Sequence, residues 1–395
     1  MNKMTNILAL CALLLLTFNC GASPGPLKLA GQSNSDRPLL KATAALAVGE
    51  QPGALELGDV DGDGILDLIV GFENGNGFVV MLGDGRGGFK AAPGSPFDAG
   101  MPVQRVAVGD VNNDRILDVA VTNHDSLTVS VLLGKRGGGF AHAPGSPFAA
   151  LKSGKPHNHG LSFADFNGDG HLDITTSNNN DNSVSVLLGD GRGGFNASTG
   201  SPFPVGRAPY PHAYGDFNRD RNLDIVAPNI NGENLSILLG DGRGRLTPAP
   251  ASPMRVASRP FYAAVGDFNA DGNPDIATSH DDITLLTILL GDGRGGFSPA
   301  PGSPLDLGQS AYRIAAADMD GDKNADLVVS GAASGGGVSV LLGDGRGSFR
   351  HAAGSPFATG RGAYSIAVGD LNRDGKTDIV TANSESGNLS VLLHQ

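Results

Sequence analysis

Seven times along the chain, acidic residues recur in one spacing, Asp-x-Asp/Asn-x-Asp-x-x-x-Asp. The first instance is Asp59, Asp61, Asp63 and Asp67. Side chains at positions 1, 3, 5 and 9 converge only if the backbone curls around a centre. Four carboxylates facing one point repel, so a cation belongs there. An all-oxygen donor set selects a hard ion, and about six or seven ligands at ~2.3–2.6 Å suit Ca²⁺ rather than Mg²⁺. The position-7 carbonyl, from Ile65, supplies a further ligand. The closing acid stands at position 9 and a strand-like Leu68-Ile69-Val70 follows it, so this is not an EF-hand.

The same reading assigns ligands in the other copies. The second has Asp110, Asn112, Asp114, Ile116 and Asp118, and the third Asp165, Asn167, Asp169, His171 and Asp173. The fourth has Asp216, Asn218, Asp220, Asn222 and Asp224, and the fifth Asp267, Asn269, Asp271, Asn273 and Asp275. The sixth has Asp318, Asp320, Asp322, Asn324 and Asp326, and the seventh Asp370, Asn372, Asp374, Lys376 and Asp378. Up to seven Ca²⁺ are expected, one per copy. Copies one and six have four carboxylates and are expected to bind most tightly; the others have Asn at position 3. Position 6 favours a positive φ, which Gly64, Gly170, Gly272 and Gly375 supply. Arg115, Arg221 and Lys323 hold that position at about 1 kcal/mol of strain. The loops hold 23 of the 40 acids, and seven divalent ions would take the net charge from −12 to +2. Ordinary turns also use Asp and Asn, but seven copies in register are poorly explained by turns alone.

Something must hold these loops in equivalent places. Their starts are separated by 51, 55, 51, 51, 51 and 52 residues. A second phrase, Leu-Gly-Asp-Gly-Arg-Gly, begins at Leu82, Leu188, Leu239, Leu290 and Leu342, and is altered to Leu133-Gly134-Lys135-Arg136-Gly137 in copy two. Sixty glycines, 24 prolines, no tryptophan and 17% charged residues argue against helices and for many short strands joined by tight turns. Asp-Gly between apolar runs signals a hairpin, and Ser-Pro-Phe is expected to end each fourth strand because proline cannot donate to a ladder. Four antiparallel strands in about 51 residues, repeated seven times, predict an all-β, seven-bladed β-propeller over 37–395. Copy seven stops at Leu393-His394-Gln395 without a fourth strand, whereas residues 38–48 precede copy one with no hairpin of their own. The N-terminal strand is therefore expected to complete the last blade and close the ring.

Residues 1–22 read as a secretory signal, with Lys3 as the basic region, Ile7–Phe18 as the apolar stretch and Cys20-Gly21-Ala22 at the cleavage region. Lipid anchoring at Cys20 is the less favoured outcome, because Asn19 is bulky where a lipobox takes a small residue. Residues 23–36 read as a disordered linker. The only cysteines, Cys11 and Cys20, fall in the signal, so the mature chain has no disulfide. The expected location is secreted, periplasmic or at the cell surface. No later apolar stretch is long enough to span a membrane, and a net charge of −12 disfavours a nucleic-acid partner.

With these motifs in hand, the chain resembles the FG-GAP/VCBS repeat family, the repeat of the integrin α-subunit propeller and of secreted bacterial proteins. The acidic phrase, Gly87-Gly88-Phe89 and Ala143-Pro144-Gly145-Ser146-Pro147-Phe148 carry the likeness. The resemblance implies Ca²⁺ in each loop and adhesive or ligand-binding roles. It leaves function open, because propellers host many chemistries.

The acidic loops and the Gly-Asp-Gly-Arg turns should share one face, with Arg86 and its equivalents compensating the carboxylates. On the opposite face, the residues six before each acidic loop are Gly53, Gln104, His159, Tyr210, Phe261, Tyr312 and Tyr364. Tyr262, Arg313 and His212 stand beside them. Aromatic residues with polar neighbours in a funnel suit a glycan or protein ligand, so Tyr210, His212, Phe261, Tyr262, Tyr312, Arg313 and Tyr364 are the candidate ligand-binding set. Packing between blades is the alternative role for these rings. His124, His157, His159, His212 and His280 are the residues from which acid–base or metal chemistry could be built. Gly83-x-Gly85-x-x-Gly88 matches a dinucleotide fingerprint but lies in a hairpin, with Pro93 and Pro96 where a helix should start. The expected function is an exported calcium-binding module, non-catalytic, for an extracellular glycan or protein. The rival is a carbohydrate-active lyase or hydrolase on the same scaffold.

Overall fold

A computed structural model describes residues 27–28, 38–49, 51–100, 102–123, 125–155, 157–331 and 337–395. Seven antiparallel sheets follow one another along the chain as the blades of a propeller. In blade 1 the strands are Pro52–Gly58, Asp67–Phe72, Gly77–Gly83 and Phe89–Ala91. The first strands of successive blades pack on one another around the central channel. The second and third strands carry the core. Leu68, Ile69 and Val70 are all fully buried, because each sheet is covered by a blade on both faces.

The outer strand departs from expectation. Ser-Pro interrupts it without ending it. Phe89–Ala91 pairs with Met81–Gly83, the chain turns through Ser95-Pro96, and Phe97–Asp98 returns to pair with Gly77 and Phe78 of the same third strand. The interruption leaves the Val80 N–H within reach of Ser95 Oγ, which accepts it at 3.0 Å. The same Ser-Pro serine serves Val131, Val186, Ile237, Ile288 and Val340 at 2.8–3.0 Å. The signature phenylalanines meet across blades: Phe97 of Ser-Pro-Phe lies 5.0 Å, centroid to centroid, from Phe140 of the next blade's Gly-Gly-Phe.

Ring closure follows the sequence reading. Leu40–Ala42 pairs antiparallel with His394, Leu393 and Leu392, and Leu46–Ala47 pairs with Leu389 and Asn388. Leu40 is buried in the seam between blades 6 and 7. Residues 1–22, expected to be a signal and including Cys20, lie outside the described residues, as does most of the expected 23–36 linker. Its Leu27–Lys28 runs parallel to Leu305–Asp306, so this part of the linker is paired, not free as expected. Among the described residues no helix is long and apolar enough to cross a membrane.

Candidate functional site

Each acidic loop is built by its own carboxylates. At position 1, Asp59 accepts the N–H groups of Gly62, Asp63 and Gly64 at 2.8–3.0 Å, curling the chain around it. At position 5, Asp63 accepts the Ile65 N–H at 2.8 Å. Position 6 has positive φ at Arg115 (68°), Arg221 (70°) and Lys323 (70°), as the repeat requires. Position 4 does too, at Asn113, Arg219, Ala270 and Arg373, which the sequence reading missed.

Position 9 behaves differently from the other three. Asp67 is buried, with Oδ2 accepting the Val60 N–H and Oδ1 the Gly83 N–H, both at 2.9 Å. Asp118, Asp173, Asp224, Asp275, Asp326 and Asp378 repeat this clamp on their own third strands. Burial pushes six of these carboxyls up to about 6, against the pull of the two N–H donors. Asp378 moves in the same direction.

Three carboxylates converge to within 4.8 Å of one another in two loops, Asp59–Asp61–Asp67 and Asp318–Asp320–Asp326. These are the two copies with an acid at position 3. In copies two to five and seven, the position-3 Asn amide instead donates to the position-5 Asp, as Asn112 does to Asp114 at 3.0 Å. A hard cation fits the oxygen-only donors of loops one and six, which among the described residues are the only such convergent groups.

The loops are laced to their neighbours. The N–H of the Gly-Asp-Gly-Arg-Gly turn reaches the position-2 carbonyl of the preceding blade: Gly87 to Leu371, Gly193 to Val111 and Gly244 to Phe166, at 3.1–3.2 Å. Turn and loop therefore share a face. The turn arginines do not pair with the loop acids, however. Among the described residues the ion pairs are Arg259–Asp281 and Arg313–Glu56. Arginines at position 4 reach across instead, Arg219 to the Gly272 carbonyl at 3.2 Å and Arg373 to that of Gly64.

At the opposite mouth of the channel, the side chains six before each loop form an arc. His159 stacks on Tyr210 at 4.2 Å, and Phe261, Tyr312 and Tyr364 continue it at centroid separations of 4.7, 4.7 and 4.8 Å. Gln104 touches His159 at one end. At the gap left by Gly53, the Glu73 side chain occupies the space a Cβ would take. A cavity of about 390 Å³ lies inside the arc. Tyr210, Phe261, Tyr262, Tyr312, Arg313 and Tyr364 all line it. Phe261 is buried, while the three tyrosines of the arc are half-buried.

His212 does not line it. Both its ring nitrogens are bonded, to Thr175 Oγ1 at 2.7 Å and Ser177 Oγ at 2.8 Å, in the wall between blades 3 and 4. His280 is likewise buried, against Thr287 and the Ser258 carbonyl. The two histidines are thus separate packing elements. His124 lies outside the described residues. Burial drives His212 down to about 4. A depressed folded-state pKa contributes stability above the unfolded value, near 6.5, that is lost as pH falls towards 4. The loss is about 3 kcal/mol. The buried aspartates titrate in the opposite sense over this range, so the difference between wild type and His212→Gln isolates the histidine. Denaturant unfolding from pH 7 to 4 should show the variant losing less by that amount. Parallel pH profiles would refute this.

Sequence reasoning missed Arg105, Glu73 and Glu385, which also line the cavity. For Arg105 the cause is a bulge near position −6: its strand pair shifts register between Val121 and Asn123, and Gly53, His159 and Tyr364 are extra residues in their own first strands. A bulge re-aims its neighbours, so residues five before the loop reach the channel beside those six before it. Arg105, Tyr262 and Arg313 share that −5 position, and aligning the copies there would have found Arg105.

A family profile of FG-GAP-like repeats matches residues 59–121, 110–176, 165–227 and 328–381, more than half of the chain. The protein belongs to this family. The unmatched stretch 228–327 includes the fifth and sixth acidic loops, which have the same position-9 clamp. No curated protein gave a match. Several solved structures are similar in fold. BBS1N in complex with ARL6DN is 13% identical with a TM-score of 0.63, over 91% of this chain and 98% of that one. An Agrocybe aegerita lectin that recognises non-reducing terminal N-acetylglucosamine is 19% identical (TM-score 0.54, 86% and 87% covered). A catalytically inactive virginiamycin B lyase from Staphylococcus aureus is 14% identical (TM-score 0.54, 90% and 100% covered). At these identities the likeness concerns the fold alone.

Proposed function

We propose that the protein is an exported, calcium-binding propeller that captures an extracellular ligand at the channel mouth opposite its acidic loops, without turning it over. The observation that carries this reading is the cavity of about 390 Å³ framed by Tyr210, Tyr312 and Tyr364. Its size falls within the range of small-molecule sites, roughly 300–1,000 Å³. This favours a glycan end over a broad protein surface. Export rests on the basic–apolar–small pattern of residues 1–22. Ca²⁺ is the ion favoured by the oxygen-only donor sets of the loops, with copies one and six the strongest sites.

Ring–ring contacts occupy much of the arc's faces, so a ligand meets ring edges and hydroxyls as well as faces. Tyr312→Ala and Tyr364→Ala are expected to weaken binding about thirtyfold, the effect of losing ~2 kcal/mol at a binding aromatic. Glycan-array hits, checked by calorimetry, measure this. A product assay on the same sugars tests the rival enzymatic reading, and turnover would replace the module with an enzyme. If both variants instead melt several degrees lower with unchanged affinity, the rings are packing and the site is elsewhere.

A further inference from the structure

The cavity holds two guanidinium groups, Arg105 from blade 2 and Arg313 from blade 6. Arg313 is fully engaged. Its Nη2 donates to Glu56 Oε1 at 2.8 Å and its Nη1 to Ser365 Oγ at 2.7 Å, and its guanidinium carbon lies 5.4 Å from the Tyr262 ring centroid. Arg105 is different. Its Nη1 donates to the carbonyl of Gln104 at 3.2 Å, and its Nε is buried with no partner. Among the described residues, no carboxylate lies within ion-pair distance of it. A guanidinium presents five N–H donors in a planar fork matched to a carboxylate. Burial, and then the charge of Arg313, push the Arg105 pKa down to about 10, the direction expected of a cation short of a counter-charge.

An underpaired, half-buried cation costs stability unless something else pairs with it. Among the described residues no carboxylate does, and the side chain lines a ligand-sized cavity. We propose that Arg105 receives a carboxylate of the ligand, bidentately, while the rest of the ligand lies among Tyr210, Tyr312 and Tyr364. The ligand class is then a small monoanionic acid, free or as the terminal acidic sugar of a glycan. A single charge is favoured because Glu73 and Glu385 also line the cavity and would repel a dianion. The inference rests on reading the channel mouth as a binding site.

Matched pairs differing only in the carboxylate test it, with calorimetry on the full mature chain in Ca²⁺. Suitable pairs are methyl glucuronide with methyl glucoside, methyl galacturonide with methyl galactoside, and N-acetylneuraminic acid with its methyl ester. Benzoate serves as a free acid. An acid is expected to bind at least about tenfold more tightly than its neutral twin. Arg105→Gln should weaken the acid about thirtyfold, as expected when one partner of a buried charged pair is removed. It should barely affect the twin, and Arg105→Lys should recover part of the loss. The Arg105→Gln melt should match or exceed wild type, because an underpaired charge is removed. Binding of benzoate as tightly as of the sugars identifies a free acid; binding of the sugars alone identifies a glycan end. If no acid outbinds its twin, or if Arg105→Gln keeps the preference, the carboxylate assignment is overturned. Neutral sugars whose binding Tyr312→Ala abolishes would leave the site itself standing. Binding indifferent to both Tyr312→Ala and Tyr364→Ala would remove the site as well.

Discussion

Asp224→Ala is expected to destabilise the protein by about 3 kcal/mol even with every metal ion chelated, because two buried N–H donors lose their acceptor at about 1–3 kcal/mol each. Those donors belong to Phe217 and Gly240, both 2.8 Å from the carboxylate, which is itself inaccessible to solvent. Relief of the carboxylate's own burial offsets part of the cost and keeps the figure near the lower half of the sum. Asp220→Ala, four residues earlier, is the comparison. Its carboxylate is exposed and accepts from Asn222 N–H at 2.8 Å and Asn218 Nδ2 at 3.0 Å, bonds that water can replace. In chelator, Asp220→Ala should cost under about 1 kcal/mol. In Ca²⁺ both variants fall further below wild type if the loop binds, in the same order. A site filled at a hundredfold excess over Kd adds about 2.7 kcal/mol to the wild type, and either variant forfeits that contribution. Six unfolding curves, wild type and the two variants each with and without chelator, separate clamp from ligand. If Asp224→Ala unfolds like wild type in chelator, the clamp has no energetic weight. If Ca²⁺ shifts no curve, the loop is a structural turn only.

That experiment concerns a distinction invisible in the sequence. All four positions of the acidic phrase read as equivalent donors, yet position 9 is buried at the root of the loop and positions 1 and 5 spend their oxygens on local N–H groups. Spacing revealed the repeat, the blade count and the closing strand, because each leaves a period of about 51 residues or an unpaired remainder. The arc from His159 to Tyr364 was legible for the same reason, since a constant offset from the loop start is a constant place in the blade. Arg105 was not. A strand alternates its side chains, so residues at −6 and −5 should face opposite ways, and only the bulge brings both to the channel. His212 failed in the other direction: nearness in sequence to Tyr210 placed it on the right strand but could not show that it turns into the wall towards Thr175 and Ser177.

Closure carries the other large effect. Deleting residues 38–48 is expected to abolish cooperative unfolding and to produce aggregates, because it strips the outer strand from Asn388–His394 and opens an edge. The segment also bridges two blades. The Leu39 N–H donates to the Ala353 carbonyl of blade 6 at 3.0 Å, and the Gln395 N–H donates to the Leu39 carbonyl at 3.0 Å. Leu40 packs there against Val338, Phe357 and Leu392. Truncation therefore removes pairing from one blade and apolar cover from the seam with another, and the exposed strand, Asn388-Leu389-Ser390-Val391-Leu392-Leu393, is rich in residues that pair readily with a second copy. A peptide of residues 38–48, added in excess, should compete for that edge by strand addition and restore the monomer. Light scattering and denaturant unfolding measure both steps. A truncated chain as monomeric and as stable as the full one would show that the ring holds without its last strand. The seven-blade packing alone, and not the N-terminal segment, would then have to account for closure.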